Sequence, residues 1–337
     1  MKQMIRVVAF ALVVVLALGL IAGCSPKADE NANETTEPPV QIGVVQIAEH
    51  PALDDARQGF IDGMADAGYV EGDKIELDVQ NAQGDQNTLS TIADRFVSQR
   101  KDLIFAIATP SAQAVAAKTT EIPIVGTAIT DYVAADLADS NEAPGGNVTG
   151  TSDMNPVTEQ IALAKELVPD ADIIGFIYSS KEANSVLQID LAKAAAEAQG
   201  LEYVEVTVES TNDVQQAMTS LVKKADVIYI PTDNTLASAM AIVSEVANKA
   251  KIPTICGESN MVDGGGFATM GIDYYELGRA TATMAIAIIN GADPATMPIG
   301  FIEGNTVTIN GATAEILGID VPEKFASDII FPEESGE

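Results

Sequence analysis

The sequence predicts an α/β protein in which two Rossmann-like lobes, each a parallel sheet flanked by helices, enclose a ligand cleft. Three observations support this fold class. Short β-branched runs alternate with Ala-rich segments of helical periodicity from Val40 onward, which is typical of parallel sheets with helices on both faces. The alternation stops at Pro144-Gly145-Gly146 and then starts again. A chain of 337 residues is also long enough to fill two separate cores.

The first half of the chain alternates between strand patterns and helix patterns. Each helix pattern has apolar residues three or four positions apart, and each strand pattern is β-branched or alternates between apolar and polar residues. The predicted strands are 41–47, 74–80, 103–108 and 122–127, and the predicted helices are 53–67, 87–99 and 111–118.

The second half repeats this organisation and adds a tail. The predicted strands are 147–152, 172–178, 202–208, 227–230, 252–256 and 266–271; the predicted helices are 156–167, 182–199, 213–223, 236–250 and 274–290; residues 306–318 form a strand and a short helix. The stretches 102–123 and 226–253 also resemble each other. Each has a strand, a Pro/Thr-bearing loop, an Ala-rich helix and a strand that begins with Ile-Pro. We therefore expect two lobes of the same design.

The N-terminal residues have the features of a secretory signal. Lys2 and Arg6 precede an uncharged apolar run from Val7 to Ala22, which is somewhat short for a membrane span and ends in small residues. The stretch from Leu20 to Cys24 resembles the lipobox of bacterial lipoproteins, in which the cysteine carries the lipid. The following polar stretch, rich in Asn, Glu, Thr and Pro, is typical of a flexible tether. We expect an extracytoplasmic protein that is lipid-anchored to the cell membrane through Cys24; an ordinary export signal or a membrane anchor is the alternative.

These patterns predict four parts of the chain. They are a signal peptide at 1–23, a lipidated flexible tether at 24–39, an N-terminal lobe of 40–151 plus 273–297, and a C-terminal lobe of 152–272 plus 298–335. The chain would cross between the lobes near Ser152 and Gly271, which makes these positions the expected hinge.

Composition argues against several classes of partner and of catalytic chemistry. A formal net charge of -31 repels nucleic acid and anionic lipid head groups, so no nucleic-acid partner is predicted. His50 is the single histidine, and the chain lacks a GxSxG elbow, a phosphate-binding glycine loop and a cysteine cluster, so we predict no enzyme, no cofactor and no metal site. Cys256, the only cysteine besides Cys24, is expected to be a small buried apolar residue. The protein is expected to be a monomer.

Polar residues follow several predicted strands, where a parallel sheet places its ligand. Thr109 is predicted to cap a helix whose first residue is Pro110, and with Ser111 it would offer hydroxyls and backbone N–H groups to an anion. Asp233, in the loop 231–235, either caps the next helix or faces the cleft. Further polar pairs in such positions are Ser179–Ser180, Asn184–Ser185, Thr130–Asp131 and Ser152–Asp153. Each of these residues alone fits plain helix capping, so the prediction of a binding site rests on their convergence.

Several stretches together resemble one known family. They are 47–54, 80–86, 106–113, 144–150, 182–185, 231–235 and 273–279. On these motifs the chain resembles the TrpX-like substrate-binding lipoproteins of ABC importers, which have the type I periplasmic-binding-protein fold. The resemblance runs from about residue 40 to the C-terminal tail. Two stretches, 178–181 and 257–260, depart from the family pattern at the rim of the cleft, which bears on the ligand rather than on the fold.

This resemblance implies a protein whose lobes close over a small solute and then dock to a membrane permease. It implies a zwitterionic ligand, an amino acid and in particular an aromatic one. In that hypothesis Thr109, Ser111 and Ser185 receive the carboxylate, and Asp233 with Asp131 pairs with the ammonium group. Side-chain specificity would come from His50, Tyr178 and the turn 257–260. The full set of predicted ligand-binding residues is His50, Thr109, Ser111, Thr130, Asp131, Ser152, Asp153, Tyr178, Asn184, Ser185, Thr232, Asp233, Asn234 and Glu258.

Three alternatives remain open from the residues. The same scaffold could hold a sugar, a vitamin or an organic acid, although the absence of Trp disfavours a stacked sugar platform. An enzyme on this scaffold would need a base, a nucleophile or a metal, and the chain offers only scattered carboxylates. A sensor lipoprotein that works without an importer has the same sequence features.

Overall fold

The structure, a computed structural model, describes residues 38–302 and 304–332. The predicted signal peptide and Cys24 lie outside the described residues. From Pro39 onward the chain forms one compact unit that contains two sheets. Because most strand pairs are parallel and helices separate successive strands, the predicted α/β fold class is confirmed.

The first lobe is built on a six-stranded sheet in which every pair of neighbouring strands is parallel. The strand order is β11-β5-β4-β3-β1-β2. The strands are β1 (Val40–Gln46), β2 (Ile75–Asn81), β3 (Leu103–Ile107), β4 (Ile124–Ile129), β5 (Val148–Ser152) and β11 (Gly300–Phe301). Its helices are α1 (Pro51–Asp66), α2 (Gln86–Ser98), α3 (Thr109–Ala116) and α10 (Tyr274–Ile289). The core of this lobe includes Phe60 and Phe105, whose rings stack 3.8 Å apart.

The second lobe is built on a seven-stranded sheet in the order β13-β12-β10-β9-β8-β6-β7. Only the pair β10–β12 is antiparallel among these neighbours. The strands are β6 (Ile173–Ser179), β7 (Glu202–Val208), β8 (Val227–Ile230), β9 (Thr254–Cys256), β10 (Ala268–Gly271), β12 (Thr306–Asn310) and β13 (Ile329–Ile330). The helices are α4 (Val157–Leu167), α5 (Ala183–Ala198), α6 (Thr211–Leu221), α7 (Asn234–Ala237), α8 (Met240–Ala250), α9 (Ser259–Asp263) and α11 (Gly311–Leu317). Cys256 is buried in this lobe as a free thiol.

Three elements differ from the sequence prediction. The helix predicted at 236–250 is two helices, α7 and α8, and neither Gly nor Pro marks the break at Ala239. The predicted turn 257–260 leads directly into α9. The strand β11 pairs with β5 of the first sheet, so the predicted lobe boundary after residue 297 falls before the last strand of that sheet.

The chain passes between the two sheets three times, after β5, after β10 and after β11. The second crossing brings α10 back to the first lobe, where the backbones of α10 and α1 are in close contact. A Cβ atom on Gly59 would lie 2.0 Å from the carbonyl oxygen of Tyr275, and one on Gly278 would lie 2.0 Å from that of Ala56. Only glycine permits this approach, which holds the first residues of the two helices in a fixed relation.

In the part of the chain that the structure covers, no helix combines the length and apolar character needed to cross a membrane.

Candidate functional site

A small cavity lies between the two lobes, beside loops that leave the carboxyl ends of their strands. We call it the central cavity. Its walls combine polar and apolar side chains from both lobes: His50, Leu53, Ala128, Asp153, Asn184, Thr232, Asp233, Asn234, Ala237, Glu258 and Tyr274. This is where an open parallel sheet places its ligand, and seven of the predicted binding residues line it.

A larger groove of about 1370 Å³ opens at the rim of the cleft. It is lined by loop residues such as Gln83 and Asp85 of the first lobe and Lys181 and Glu209 of the second. Most of these side chains are exposed. The central cavity is the better candidate for the binding site, because buried polar atoms without partners belong to its walls.

Two buried carboxylates, Asp153 and Glu258, line the central cavity, and none of the described residues in its walls is Lys or Arg. Each residue is only 3% exposed. Tyr274 Oη donates a hydrogen bond to Asp153 Oδ2 at 2.7 Å, while Asp153 Oδ1 is buried without a partner. Burial raises the pKa of Glu258 to about 8, and the carboxylates of Asp153 and Asp55 act in the same direction. A charge buried in this way is costly unless a cation pairs with it, so the cavity favours a ligand with a positive group here.

The carboxylate of Asp233 lines the same cavity but, unlike Glu258, accepts several hydrogen bonds from within the protein. Its Oδ1 accepts from Leu236 N at 2.9 Å, and its Oδ2 accepts from Ser179 N at 2.6 Å and Ser185 Oγ at 2.7 Å. Burial nevertheless raises the pKa of Asp233 to about 7, with the nearby Glu182 charge adding to the effect. Because the protein already supplies three donors, Asp233 caps α7 and joins β6, α5 and α7. These contacts give Asp233 a structural role, and its pairing with an ammonium group stays a prediction.

Asp131 accepts hydrogen bonds from its own turn. Its Oδ1 accepts from Val133 N and Ala134 N, both at 2.9 Å. It lies outside the central cavity, in the wall of a neighbouring side cavity that also includes Thr109 and Asn184. The ammonium role of Asp131 stays a prediction, while Asp153 and Glu258 are the carboxylates of the central cavity that have fewer donors within the protein.

The beginning of α3 combines a strained backbone with unpartnered hydroxyls. Ala108 adopts φ 77° and ψ 152°, a region that residues other than glycine rarely occupy. The helix starts at Thr109 with no side-chain cap, so the prediction that Thr109 is the cap residue is wrong. Thr109 Oγ1 and Ser111 Oγ are both buried without a partner, which suits an anionic group of a ligand. Thr109 lines the side cavity, Ser111 lines neither cavity, and Asn184 is shared by both.

His50 links the two lobes through Asn234. Its Nε2 lies 3.2 Å from Asn234 Oδ1, and its Nδ1 is buried without a partner. Burial lowers the pKa of His50 from 6.5 to about 4, against smaller effects of Asn234 and Asp54 that raise it. The ring is therefore neutral near pH 7.

The other predicted residues have structural partners. Ser152 Oγ donates to the carbonyl oxygen of Thr130 at 2.8 Å and so holds the first crossing. Thr130 Oγ1 and Thr232 Oγ1 accept from Gln188 Nε2, at 3.4 Å and 2.5 Å, which ties the two lobes together. Tyr178 Oη donates to Glu205 at 3.2 Å, and Tyr178 lines none of the three cavities, so its place in the site stays a prediction.

Sequence reasoning missed three buried residues at the site. Glu182 accepts hydrogen bonds from the backbone and side chain of Asn234 and of Thr235. Gln188 bridges the lobes, and Tyr274 orients Asp153. Glu182 and Tyr274 both lie within stretches that carry the family resemblance, 182–185 and 273–279, and that signal could have found them. Gln188 lies inside helix α5, and nothing in its sequence position pointed to the cleft.

Comparison with known proteins connects this geometry to a family. A family model described as "ABC transporter substrate binding protein" matches residues 41–328. A tyrosine-binding protein of Clostridioides difficile strain R20291 is 43% identical over 321 residues, which is 94% of this chain and 92% of that protein. The ABC domain from Streptococcus pneumoniae in complex with L-Trp is 38% identical with a TM-score of 0.84, over 87% of this chain and 100% of that one.

The conformation of the cleft can be compared as well. A substrate-binding protein with adhesive properties from Clostridium difficile, in its ligand-free, open form, is 42% identical over 87% of this chain and 99% of that one. Its TM-score is only 0.66, against 0.84 for the less similar sequence that holds L-Trp. The lobes are therefore arranged as in the ligand-bound relative. Sequence, fold and cleft agree: the chain belongs to the ABC transporter substrate-binding protein family, with the type I periplasmic-binding-protein fold.

Proposed function

We propose that this protein captures an aromatic amino acid outside the cytoplasm and delivers it to the permease of an ABC importer. The observation that carries the proposal is the buried pair Asp153 and Glu258, which lines the central cavity, where none of the described wall residues is Lys or Arg. An α-ammonium group is a small cation with three donors and would satisfy this pair. The names of the tyrosine-binding and L-Trp-bound relatives support the choice of an aromatic amino acid.

The α-carboxylate would go to the start of α3. Thr109 and Ser111 there have buried hydroxyls without partners, and the helix N-terminus favours a negative group. Asn184 touches both cavities, so a ligand that carries both charges would pass beside it. A zwitterionic ligand needs a partner in the protein for each of its two charges, because either charge would be costly to bury unpaired in a closed cleft.

Attachment and delivery are part of the same proposal. The basic start, the apolar run and the residues up to Cys24 support export and lipid anchoring at that cysteine. Substrate-binding proteins are in general not enzymes, and we assign no reaction to this chain. Within residues 38–302 and 304–332 no group of three or more His, Cys, Asp or Glu side chains is placed to hold a metal ion.

Titration with L-tryptophan tests the proposal directly. The chain contains no Trp, so a change in indole emission on mixing reports only the ligand. With residues 39–337, which form one compact unit, we expect saturable binding and a raised melting temperature. The stabilisation is about 2.7 kcal/mol at a hundredfold excess over Kd. A flat titration together with no thermal shift for tryptophan, tyrosine or phenylalanine would contradict the proposal.

A further inference from the structure

The orientation of the His50 ring is determined by a chain of hydrogen bonds. Glu182 can only accept, and Asn234 Nδ2 donates to its Oε2 at 2.5 Å. The other end of that amide, Asn234 Oδ1, therefore faces His50 Nε2, at 3.2 Å. Because an amide oxygen only accepts, Nε2 must carry the proton of the neutral ring. His50 Nδ1 is left as a bare acceptor.

This bare nitrogen has nothing to accept from. His50 is only 6% exposed, and its Nδ1 has no hydrogen-bond partner among the described residues. A buried acceptor without a donor is destabilising. His50 also lines the central cavity, together with the apolar side chains of Leu53, Ala128 and Ala237. In this cavity His50 Nδ1 is thus an acceptor without a donor, beside apolar side chains.

The ligand's ammonium group is the weaker candidate for this donor. Asp153 and Glu258 are carboxylates in the same cavity, and they attract a cation more strongly than a neutral imidazole does. A donor elsewhere on the ligand would satisfy His50 Nδ1. A phenol offers one O–H group, and an indole offers one N–H group.

We propose that His50 Nδ1 accepts a hydrogen bond from the ligand's ring, and that the site therefore selects ring donors, as in tyrosine or tryptophan, over phenylalanine. This inference rests on the proposed function and names the chemistry of its ligand. It makes His50 a specificity-determining residue, because the ring that lacks a donor leaves Nδ1 unpaired in the closed cleft.

Matched ligands test the inference on the unaltered protein. Tyrosine and phenylalanine differ only in the hydroxyl group, and tryptophan and 3-benzothienylalanine differ in the replacement of N–H by sulfur. By isothermal titration calorimetry we expect the donor-bearing member of at least one pair to bind roughly ten- to a hundredfold more tightly. The pair that shows the larger ratio identifies whether the phenol or the indole is the better donor.

Two substitutions separate the nitrogens of His50. In His50→Gln the side-chain amide can still donate to Asn234 Oδ1 but has no acceptor at the place of Nδ1, so the ratio of the two Kd values should fall towards one. In His50→Asn the shorter amide can restore an acceptor near Nδ1, so part of the ratio should return. Tyr69→Phe removes a hydroxyl that donates to Asn290 away from the cavities and should keep the ratio of the unaltered protein.

The outcomes distinguish this inference from the function on which it rests. If no aromatic amino acid binds the unaltered protein, the proposed function fails. If aromatic amino acids bind but phenylalanine matches tyrosine and the sulfur analogue matches tryptophan, only the inference fails. A ratio that survives His50→Gln, in a variant that melts cooperatively, also overturns the assignment to His50.

Discussion

Two buried carboxylates show how surroundings decide the role of a single residue. Asp233 is 1% exposed and Glu258 is 3% exposed, and burial raises the pKa of both. Asp233 receives three hydrogen bonds from within the protein. For Glu258 the nearby charges that act on the pKa are other carboxylates. The first group is therefore part of the scaffold, and the second is available to a ligand.

Glu258→Gln tests this difference. In the ligand-free closed form the pKa of Glu258 is raised from 4.5 to about 8, so its contribution to stability is present below pH 4.5 and is lost as the pH rises through 8. At pH 7 the neutral amide should therefore raise the melting temperature of the ligand-free protein. It should also weaken ligand binding by about ten- to a hundredfold, because an ion pair with the ammonium is lost. Calorimetry and thermal melts measure the two effects.

Asp233→Asn is the matched control for that variant. An amide nitrogen cannot accept the bonds from Ser179 N or Ser185 Oγ, so we expect a loss of about 1–3 kcal/mol in the free energy of unfolding. Urea unfolding without ligand measures it. If Glu258→Gln leaves the affinity unchanged, the assignment of the ammonium site is contradicted.

The positions of the site residues were predictable from the sequence, but their roles were not. Strand ends marked Thr109, Asp153 and Asp233, because parallel sheets place ligands there. The partners that decide the roles are distant in sequence: Ser179 lies 54 residues from Asp233, and Tyr274 lies 121 residues from Asp153. No local pattern carries such a contact. Local sequence therefore favoured Asp233, which accepts three hydrogen bonds within the protein, over Asp153, whose Oδ1 has no partner among the described residues.

Periodicity predicted the bounds of the long helices and strands closely, and the elements that it missed are short. Strands such as β6 and helices such as α10 contain enough residues to show their periodicity. The break between α7 and α8 was missed because Asp233 and Ser238 stabilise the ends through hydrogen bonds, without a helix breaker in the sequence. The two-residue strand β11 is too short for any period to appear. Its place beside β5 depends on tertiary pairing.

Thr109→Val at the start of α3 tests the proposed carboxylate site. Valine has nearly the shape of threonine, and the hydroxyl that it removes has no partner in the protein. The melting temperature of the ligand-free protein should therefore not fall, whereas the affinity for the amino acid should drop by about tenfold or more. Calorimetry with tryptophan and tryptamine, which lacks the carboxylate, measures the loss. The advantage of tryptophan over tryptamine should shrink in the variant.

Thr88→Val provides the comparison in another helix. Thr88 lies in the first turn of α2, and its hydroxyl donates to Asp85 at 2.9 Å, so its removal should affect local stability rather than binding. Equal affinity losses in both variants, or an unchanged tryptophan-to-tryptamine ratio in Thr109→Val, would count against a carboxylate at α3.

At the scale of the whole molecule, closure of the lobes brings together groups that an open cleft would leave in water. The bonds between His50 and Asn234, between Asp55 and Asn260, and between Thr130 and Gln188 all join the first lobe to the second. Each forms only when the lobes approach. Ligand binding, which favours closure, is therefore coupled to the formation of these hydrogen bonds and to the protonation of the residues that make them.

The affinity for the ligand should consequently fall as the pH is lowered from about 7.5 to 5. Burial lowers the pKa of His50 from 6.5 to about 4, so a His50 ring that opening of the cleft exposes to water opposes closure as the pH falls from 6.5 towards 4. The loss from this ring should approach about tenfold per pH unit at the acid end of this window. Calorimetry at pH 7.5, 6 and 5 measures it, and His50→Gln should make the curve less steep, leaving the part that comes from protonation of Glu258, whose pKa is about 8. An equally steep decline in that variant would assign the effect to other groups.

The glycine contact between α1 and α10 has a consequence for how this protein can change over time. His50 directly precedes α1 and Tyr274 begins α10, so the close approach at Gly59 and Gly278 sets the spacing of two walls of the cavity. A single added methyl group at either glycine would spread the helices apart without altering any residue that touches the ligand. Substitutions at this remote contact would therefore change the shape of the cavity and with it the ligand preference. A lineage that loses either glycine would need further substitutions in the cavity walls to keep the same ligand.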